Sequence, residues 1–235
     1  QKREFRTVVG QLKGHRFTVI STGIGPDNID IVINELDALV NIDLKRRIKK
    51  EKHTSLNLVR IGTSGSLQQD IPVDSMVLGK YGLGFEGLLH FYKADHIFEK
   101  ELQEAFVKHT NYPKNRSLPY FVKNDNKLES KLLSHEVFSG ITATAGGFYG
   151  PQGRVLRLEL DRADMNQKIE SFRFKELRIS NLEMETSAIY GLSKLLGHRA
   201  LSMNAIIANR ADLTFSQDPY RAVDRLIEYT LNALT

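Results

Sequence analysis

Residues 60–68 contain a cation followed by hydroxyl groups and glycines, a combination that could bind an anion. Arg60 ends a predicted strand, and Thr63 lies between Gly62 and Gly65. Glycines let backbone N–H groups approach an anion closely, and an arginine offers a planar fork that matches phosphate oxygens. Taken alone, the stretch fits a phosphate site and a tight turn with an arginine salt bridge about equally well.

Residues 147–154 combine an aromatic ring with an amide and a second arginine. Phe148 could stack on a flat heterocycle, and the amide of Gln152 offers both a donor and an acceptor. Arg154 could bind a ring carbonyl and stabilise negative charge that develops on it. A Gly/Pro-rich surface loop with incidental polar residues is the commoner explanation of such a stretch read alone.

Residues 181–187 place two carboxylates at a predicted junction between a strand and a helix. Glu183 and Glu185 are two positions apart, so they cannot share one face of a helix. If both point into a site, the junction must be irregular and their roles distinct. Read alone, the stretch is better explained by acids that complement the positive end of the helix dipole.

The elements that must position these stretches alternate along the chain between short apolar β-rich runs and longer runs of helical period. The predicted strands are 17–21, 56–61, 75–78, 138–143, 177–180 and 200–207. The predicted helices are 27–40, 95–108, 124–133, 184–196 and 218–234. Residues 62–65 and 108–127 are predicted as loops. This order predicts an α/β fold, a single-domain three-layer sandwich with a central, largely parallel mixed sheet flanked by helices, and the carboxyl ends of its strands should carry the site.

Composition limits the classes of function that the chain can have. It has 235 residues, no cysteine and a formal charge of +5. Without cysteine, and with no paired histidine spacing, we expect no metal site. The basic run 45–52 contains no aromatic residue to stack on bases, so we expect no nucleic-acid partner and interpret the run as the solvated end of a helix. No apolar run is long enough to span a membrane, and we expect a cytoplasmic protein.

Together and in this order, the three stretches resemble the nucleoside phosphorylase-I family, specifically its uridine phosphorylase branch. The resemblance covers nearly the whole chain, and its matching segments are 2–5, 21–25, 60–68, 148–154, 181–187 and 209–210. The Phe, Gln and Arg set is its most specific part, because it separates pyrimidine from purine members. Purine members carry an aspartate after the strand that here ends at residues 208–210.

At the phosphate end, the resemblance implies that Arg60 and Thr63 hold phosphate, with Thr63 also close to the ribose. It implies that Arg3 reaches into the phosphate site of a neighbouring subunit, as in a family that forms dimers assembling into hexamers. It also implies an N-terminal strand and phosphate loop that residues 1–235 lack. Inorganic phosphate would be a co-substrate, and no cofactor is expected.

At the nucleoside end, the resemblance assigns each remaining residue to the base or the sugar. Phe148 would pack on the nucleoside, Gln152 and Arg154 would read the uracil edge, Glu183 would support the base end, Met184 would pack on the sugar and Glu185 would accept hydrogen bonds from the ribose hydroxyls. The implied reaction is reversible phosphorolysis of uridine or deoxyuridine, with phosphate attacking C1′ and uracil leaving. No metal or covalent intermediate is required.

Three alternatives remain open at this point. A hydrolytic nucleosidase of the same fold would use water, although water needs no arginine cluster of the kind that Arg60 and Arg3 imply. A non-catalytic nucleoside-binding protein would keep the residues that bind the base and lack the phosphate chemistry. A basic nucleic-acid-binding domain would show steep salt dependence of binding.

Overall fold

Helices and strands alternate through residues 4–235, the part of the chain that this computed structural model describes. The α-helices are α1 (Pro26–Asn41), α2 (Lys100–Thr110), α3 (Asn126–Leu132), α4 (Met165–Ser171), α5 (Thr186–Leu195) and α6 (Pro219–Leu234). The first six strands are β1 (Thr7–Leu12), β2 (His15–Ile20), β3 (Ile42–Asp43), β4 (Ile48–Lys49), β5 (Asn57–Ser66) and β6 (Met76–Gly84). The others are β7 (Tyr120–Lys123), β8 (Val137–Thr144), β9 (Arg173–Phe174), β10 (Leu177–Glu183), β11 (Arg199–Asn209) and β12 (Thr214–Phe215).

The central sheet has eight strands and is mixed. Its two longest ladders are parallel and join β11 to β5 and β6 to β8, and a shorter parallel ladder joins β8 to β10. Shorter antiparallel ladders join β10 to β5 and β11 to β6. These five strands therefore form a closed, curled ring, and helices pack around it. The predicted fold class, an α/β domain with a central mixed sheet flanked by helices, is confirmed.

Apolar side chains at helical spacing bury the helices against the sheet. In α1, Ile29 and Ile33 face the cluster that includes Ile189 and Leu192 of α5. On another side, Leu226 of α6 packs in the cluster formed with β11 and β6. Full burial of one such side chain contributes about 1.5–3 kcal/mol. The predicted start of the last helix is confirmed, because the Asp218 side chain accepts a hydrogen bond from the backbone N–H of Arg221.

The first predicted strand is present as β2, but it lies outside the central sheet. It pairs with β1 as an antiparallel hairpin, which forms a separate two-stranded sheet. Val8, Val9 and Val19 of this hairpin are exposed. Alternation of apolar residues predicted the strand correctly and could not predict its partner.

Two predicted loops differ from the structure. Residues 62–65 continue β5, because they pair with β11 on one side and the strand end at Gly65 and Ser66 also pairs with β10. Within 108–127, residues 108–110 end α2 and 120–123 form β7, so only the middle of that stretch is irregular. In both cases pairing with distant strands outweighs the local turn preference of glycine, asparagine and proline.

The basic run 45–52 is not the end of a helix, as the sequence predicted. Helix α1 ends at Asn41, and the run lies on the short β3–β4 hairpin and the residues after it, where it is exposed to solvent. Asp43 caps the turn, its side chain accepting from the backbone N–H groups of Lys45 and Arg46. Among residues 4–235, no helix is long and apolar enough to cross a membrane.

Candidate functional site

The guanidinium of Arg60, in the first half of β5, lies between two carboxylates. Its Nη2 is 2.6 Å from Oε2 of Glu185 and 3.1 Å from Oε2 of Glu183. Its Nη1 donates to Oδ1 of Asn204 at 2.7 Å. The guanidinium passes directly over Gly62, where a Cβ would be 2.4 Å from Nη1. Glycine at this position is therefore what allows the arginine to reach both acids.

The junction between β10 and α5 aims both acids at Arg60. Glu183 is the last residue of β10, and its carboxylate accepts from the backbone N–H groups of Glu185 at 2.9 Å and Thr186 at 3.0 Å. Glu185 precedes α5 with non-helical φ and ψ of −137° and −30°, and its Oε1 accepts from the N–H of Gly25 at 2.7 Å. The expected irregular junction is confirmed, and Glu183 also binds the helix N-terminus, as the alternative interpretation proposed.

One largely buried arginine side chain is shared by two buried acids. Burial raises the pKa of Glu183, against the opposing effect of Arg60, and the neighbouring Glu185 raises it further. Burial alone would lower the pKa of Arg60, but Glu183 and Glu185 outweigh it and raise that pKa. Arg60 therefore stays charged, while burial disfavours the ionised form of Glu183.

The second cluster is built around Gln152, whose side chain is held by two arginines. Gln152 is 3% exposed, and its Oε1 accepts from Nη1 of Arg154 and, at 2.9 Å, from Nη2 of Arg210. The guanidinium carbon of Arg154 lies 3.9 Å from the centroid of the Phe148 ring. Burial, with a further contribution from Arg154, lowers the pKa of Arg210 to about 10. The predicted residues thus come together, with Arg210 added.

A tight turn after β8 presents Gln152 to these arginines. Residues Gly150–Gln152 form one turn of 3-10 helix, and Gly153 ends it with a φ of 72°. A Cβ on Gly153 would be 2.0 Å from Nδ2 of Asn166, the group that donates to the backbone oxygen of Gln152 at 3.2 Å. Arg210 links this turn to the end of β5, because its own N–H donates to the Ser66 carbonyl.

The other predicted residues are placed with fewer contacts. Thr63 is exposed, and alternation along a strand puts it on the opposite face of β5 from Arg60. Met184, which separates the two acids in the sequence, is half-buried. Arg3 lies outside the described residues. The roles of these three residues in binding substrate remain predictions.

Asn204 is a residue that the sequence interpretation missed, and Arg210 was part of the resemblance but was given no role. Asn204 is a fully buried polar residue inside the apolar run of β11, and that interruption was a usable signal. Arg210 follows Asn209, whose amide donates to the backbone oxygens of Gln68 and Ile71. The side chain of Asn209 thus anchors its loop, and Arg210 is the residue of the pair that reaches Gln152.

A separate group of possible metal ligands lies next to the amino-terminal end of β5. Atoms of Asp37, His53 and His198 lie within 4.8 Å of one another. However, Nδ1 of His198 accepts from the N–H of Leu56 at 3.2 Å, so the neutral ring carries its proton on Nε2. Nε2 lies 3.2 Å from Oδ1 of Asp37, without the alignment of a hydrogen bond. The arrangement is that of a histidine–aspartate pair, and a metal would have to displace the Leu56 hydrogen bond.

The chain was compared with known proteins. The family model described as the phosphorylase superfamily matches residues 1–234. Uridine phosphorylase from Thermococcus kodakarensis is 27% identical over 221 residues, which are 92% of this chain and 66% of that protein. A DeoD-type purine nucleoside phosphorylase from Listeria welshimeri is 23% identical over 203 residues, 86% of this chain and 68% of that protein.

Among solved structures, a nucleoside phosphorylase from Trypanosoma brucei is similar over almost the whole chain. The structure is described as showing uridine phosphorylase activity; its TM-score is 0.86 and its identity is 28%, with 99% of this chain and 84% of that chain covered. The first curated relative extends well beyond this chain, which spans 66% of its length.

Proposed function

This chain belongs to the phosphorylase superfamily, and we propose that it catalyses the reversible phosphorolysis of uridine or deoxyuridine to uracil and a pentose 1-phosphate. The observation that carries the choice of base is the fixed orientation of Gln152. Two arginines donate to its Oε1, which leaves the amide N–H groups to donate to a uracil carbonyl. Uridine phosphorylases among the relatives support the same choice.

The charge at this end of the site suits a leaving group that becomes an anion. As the glycosidic bond breaks, its electron pair passes to N1 of uracil and is delocalised onto the ring carbonyls. Arg154 and Arg210 hold positive charge beside Gln152, and donors placed in this way typically contribute about 3–4 kcal/mol to lowering a barrier. Asn209 stands near the position where purine members carry an aspartate, and its side chain is directed into its own loop, which favours a pyrimidine.

The Arg60 cluster supplies the phosphate and sugar end. Phosphate would take over the guanidinium of Arg60, releasing Glu185 to accept hydrogen bonds from ribose hydroxyls. A phosphate oxygen then forms a bond to C1′ as the bond to uracil breaks, and the carboxylates and phosphate favour the positive charge on the sugar. Holding the two reactants in line adds the proximity contribution. We assign Arg3 of a neighbouring subunit to the same phosphate, so the active form is a dimer-based oligomer, a hexamer by family resemblance.

A hydrolytic nucleosidase is the second candidate, and one observation favours it. The Nη atoms of Arg60 already face Glu183, Glu185 and Asn204, so a site with its own acids could activate water without phosphate. Phosphate dependence of the reaction separates the two.

The test is uracil release from uridine with and without inorganic phosphate, with inosine as the purine comparison. We expect release that requires phosphate, yields ribose 1-phosphate and is lost in Gln152→Ala and Arg154→Ala. Arg157→Ala is the matched control, because Arg157 is exposed in the same segment. Equal release without phosphate would establish a hydrolase, and a preference for inosine would overturn the choice of pyrimidine. Saturable uridine binding without release would leave only a binding protein.

A further inference from the structure

A carboxyl group outside the predicted site, that of Glu86, lies against the first turn of α5. Its Oε1 accepts hydrogen bonds from the hydroxyl of Tyr120 and, at 3.0 Å, from Oγ of Ser187. Its Oε2 accepts from the N–H of Gly87 at 3.1 Å. Within residues 4–235, the ion pairs of the structure do not include Glu86. Its three partners are therefore uncharged donors.

An acid is a costly choice for packing at this position. Burial raises the pKa of Glu86, while its bonds to Tyr120 and Ser187 oppose that effect. The Glu86 carboxyl is half-buried, and a carboxylate without a cation loses hydration there that neutral donors restore only in part. If the group served only to fill space, a glutamine or an apolar side chain would do so at a lower cost. We therefore ask which groups the hydrogen-bond donors of Glu86 themselves contact.

A continuous path of hydrogen bonds connects Glu86 to Glu183. Ser187 donates its hydroxyl to Glu86 and its backbone N–H to Oγ1 of Thr144 at 2.9 Å. Thr144 in turn donates to Oε1 of Glu183 at 2.7 Å. A hydroxyl has a single proton and two lone pairs. The N–H of Ser187 uses one lone pair of Thr144, so the hydroxyl proton of Thr144 remains available to donate to Glu183.

The same turn of α5 also holds Glu183 directly. The N–H groups of Glu185 and Thr186 donate to its carboxylate, and Ser187 is the next residue along the chain. A shift of Ser187 would move these donors together with Thr144. Glu86 thus fixes, from outside the site, the turn that orients Glu183 and Glu185 toward Arg60.

We propose that Glu86 is a positioning residue for nucleoside binding and turnover, acting through Ser187 and Thr144 on the Glu183–Glu185 pair. This inference rests on the proposed function, since the pair is assigned to the nucleoside end of the site. Glu86 touches neither substrate in this scheme. Its loss should therefore affect the nucleoside parameters more than the phosphate parameters, which depend on the pair only through Arg60.

The test compares two variants of the path with one control. Glu86→Gln removes the charge and keeps an oxygen for the two hydroxyls, and Ser187→Ala removes the hydroxyl that connects the path to Glu86. Tyr120→Phe is the matched control, because it removes the other hydroxyl bound to the same carboxyl oxygen, whose contact with Ser187 Oγ is long at 3.5 Å, and leaves the bond from Ser187 to Glu86 in place. For each protein, kcat and the KM values for uridine and for phosphate are measured separately, together with the melting temperature.

Ser187→Ala should lower kcat/KM for uridine about tenfold, the equivalent of roughly one hydrogen bond. Glu86→Gln should lower it by less, because the amide oxygen still accepts from Ser187 but carries no charge. The KM for phosphate should stay within about twofold. The double variant should have the same kcat/KM for uridine as the less active single variant, because both changes act on one path. Kinetics like those of the unmodified protein, equal losses for both substrates, or losses that multiply in the double variant would each overturn the inference.

Calorimetric binding of uridine separates this inference from the proposed function. If the unmodified protein binds uridine without releasing uracil, the proposed activity fails, and the ratio of uridine affinities between Ser187→Ala and Tyr120→Phe still tests the path. A ratio of about ten would support positioning by Glu86, and a ratio near one would refute it. Should Glu86→Gln fail to fold, the same ratio remains measurable.

Discussion

Replacing Arg60 by methionine should destabilise the fold, because it removes the one cation that the two buried acids share. The side chain of Arg60 is 13% exposed, and those of Glu183 and Glu185 are 2% and 8% exposed. Methionine has nearly the same length and no charge, so the change removes the positive charge beside the two carboxylates and the donor to the oxygen of Asn204. The backbone N–H groups that donate to the carboxylates remain. Water has little access to this buried site, so it cannot readily solvate the two carboxylates in place of the arginine.

Breaking a buried ion pair by removing one partner typically costs about 3–5 kcal/mol. For a chain of this size, 1 kcal/mol lowers the melting temperature by about 2–4 °C, so the expected loss is about 6–20 °C. The cost should depend on pH. The pKa of Glu183 is already raised in the folded state, and the loss of Arg60 raises it further, so the folded state binds protons more readily than the unfolded state. Stability of the variant therefore recovers as pH falls.

Calorimetric melting and urea unfolding at about pH 8 and about pH 5.5 would measure both effects. Arg178→Met is the matched control, since Arg178 pairs with Asp70 at 2.6 Å at a largely exposed position and should cost less than about 1 kcal/mol. Adding Glu185→Gln to Arg60→Met should recover part of the loss. Equal losses in Arg60→Met and Arg178→Met, or a deficit that does not shrink at the lower pH, would refute the reasoning.

Two further predictions concern close packing and pH. Gly62→Ala should lower the free energy of unfolding by about 1–3 kcal/mol and also lower affinity for phosphate, because the added Cβ would displace the Arg60 guanidinium. In Gly65→Ala the added Cβ makes only ordinary contacts, so the same urea titration should show a much smaller loss of stability. Burial lowers the pKa of His198, so the unfolded chain takes up the proton first and stability should fall as pH drops below about 6.5. His198→Gln should flatten this fall in urea unfolding measured across the same pH range; a pH profile that the substitution leaves unchanged would contradict the assignment.

The sequence predicts the parts of the site that depend on local chemistry. Gln152 and Arg154 are two residues apart in one turn, and the order of residue types alone was enough to suggest that they act together. Glu183 and Glu185 bracket a strand end, and the impossibility of sharing a helix face correctly predicted an irregular junction. In each case the signal lies within one short segment.

Partners that are distant along the chain could not be predicted in this way. Asn204 binds Arg60 across 144 positions, and Arg210 binds Gln152 across 58. The interpretation of Gly62 and Gly65 as a turn was wrong for the same reason, because the strands that pair with them lie far away in sequence. Local propensity favours a turn, and only the register of β5 with β11 decides that the segment stays extended.

The pairing of β5 with β11 also has a consequence for when the site comes into being. Asn57 pairs with Arg199 at one end of this ladder, and Ser66 pairs with Asn209 at the other. The loop that must close between the two strands contains most of the chain, and contacts of such wide separation form late and slowly in folding. During synthesis, Arg60 leaves the ribosome long before Asn204 exists to bind it. We therefore expect ligand affinity to appear in a single late step, when the last quarter of the chain joins the sheet, and not to accumulate gradually as the earlier strands assemble.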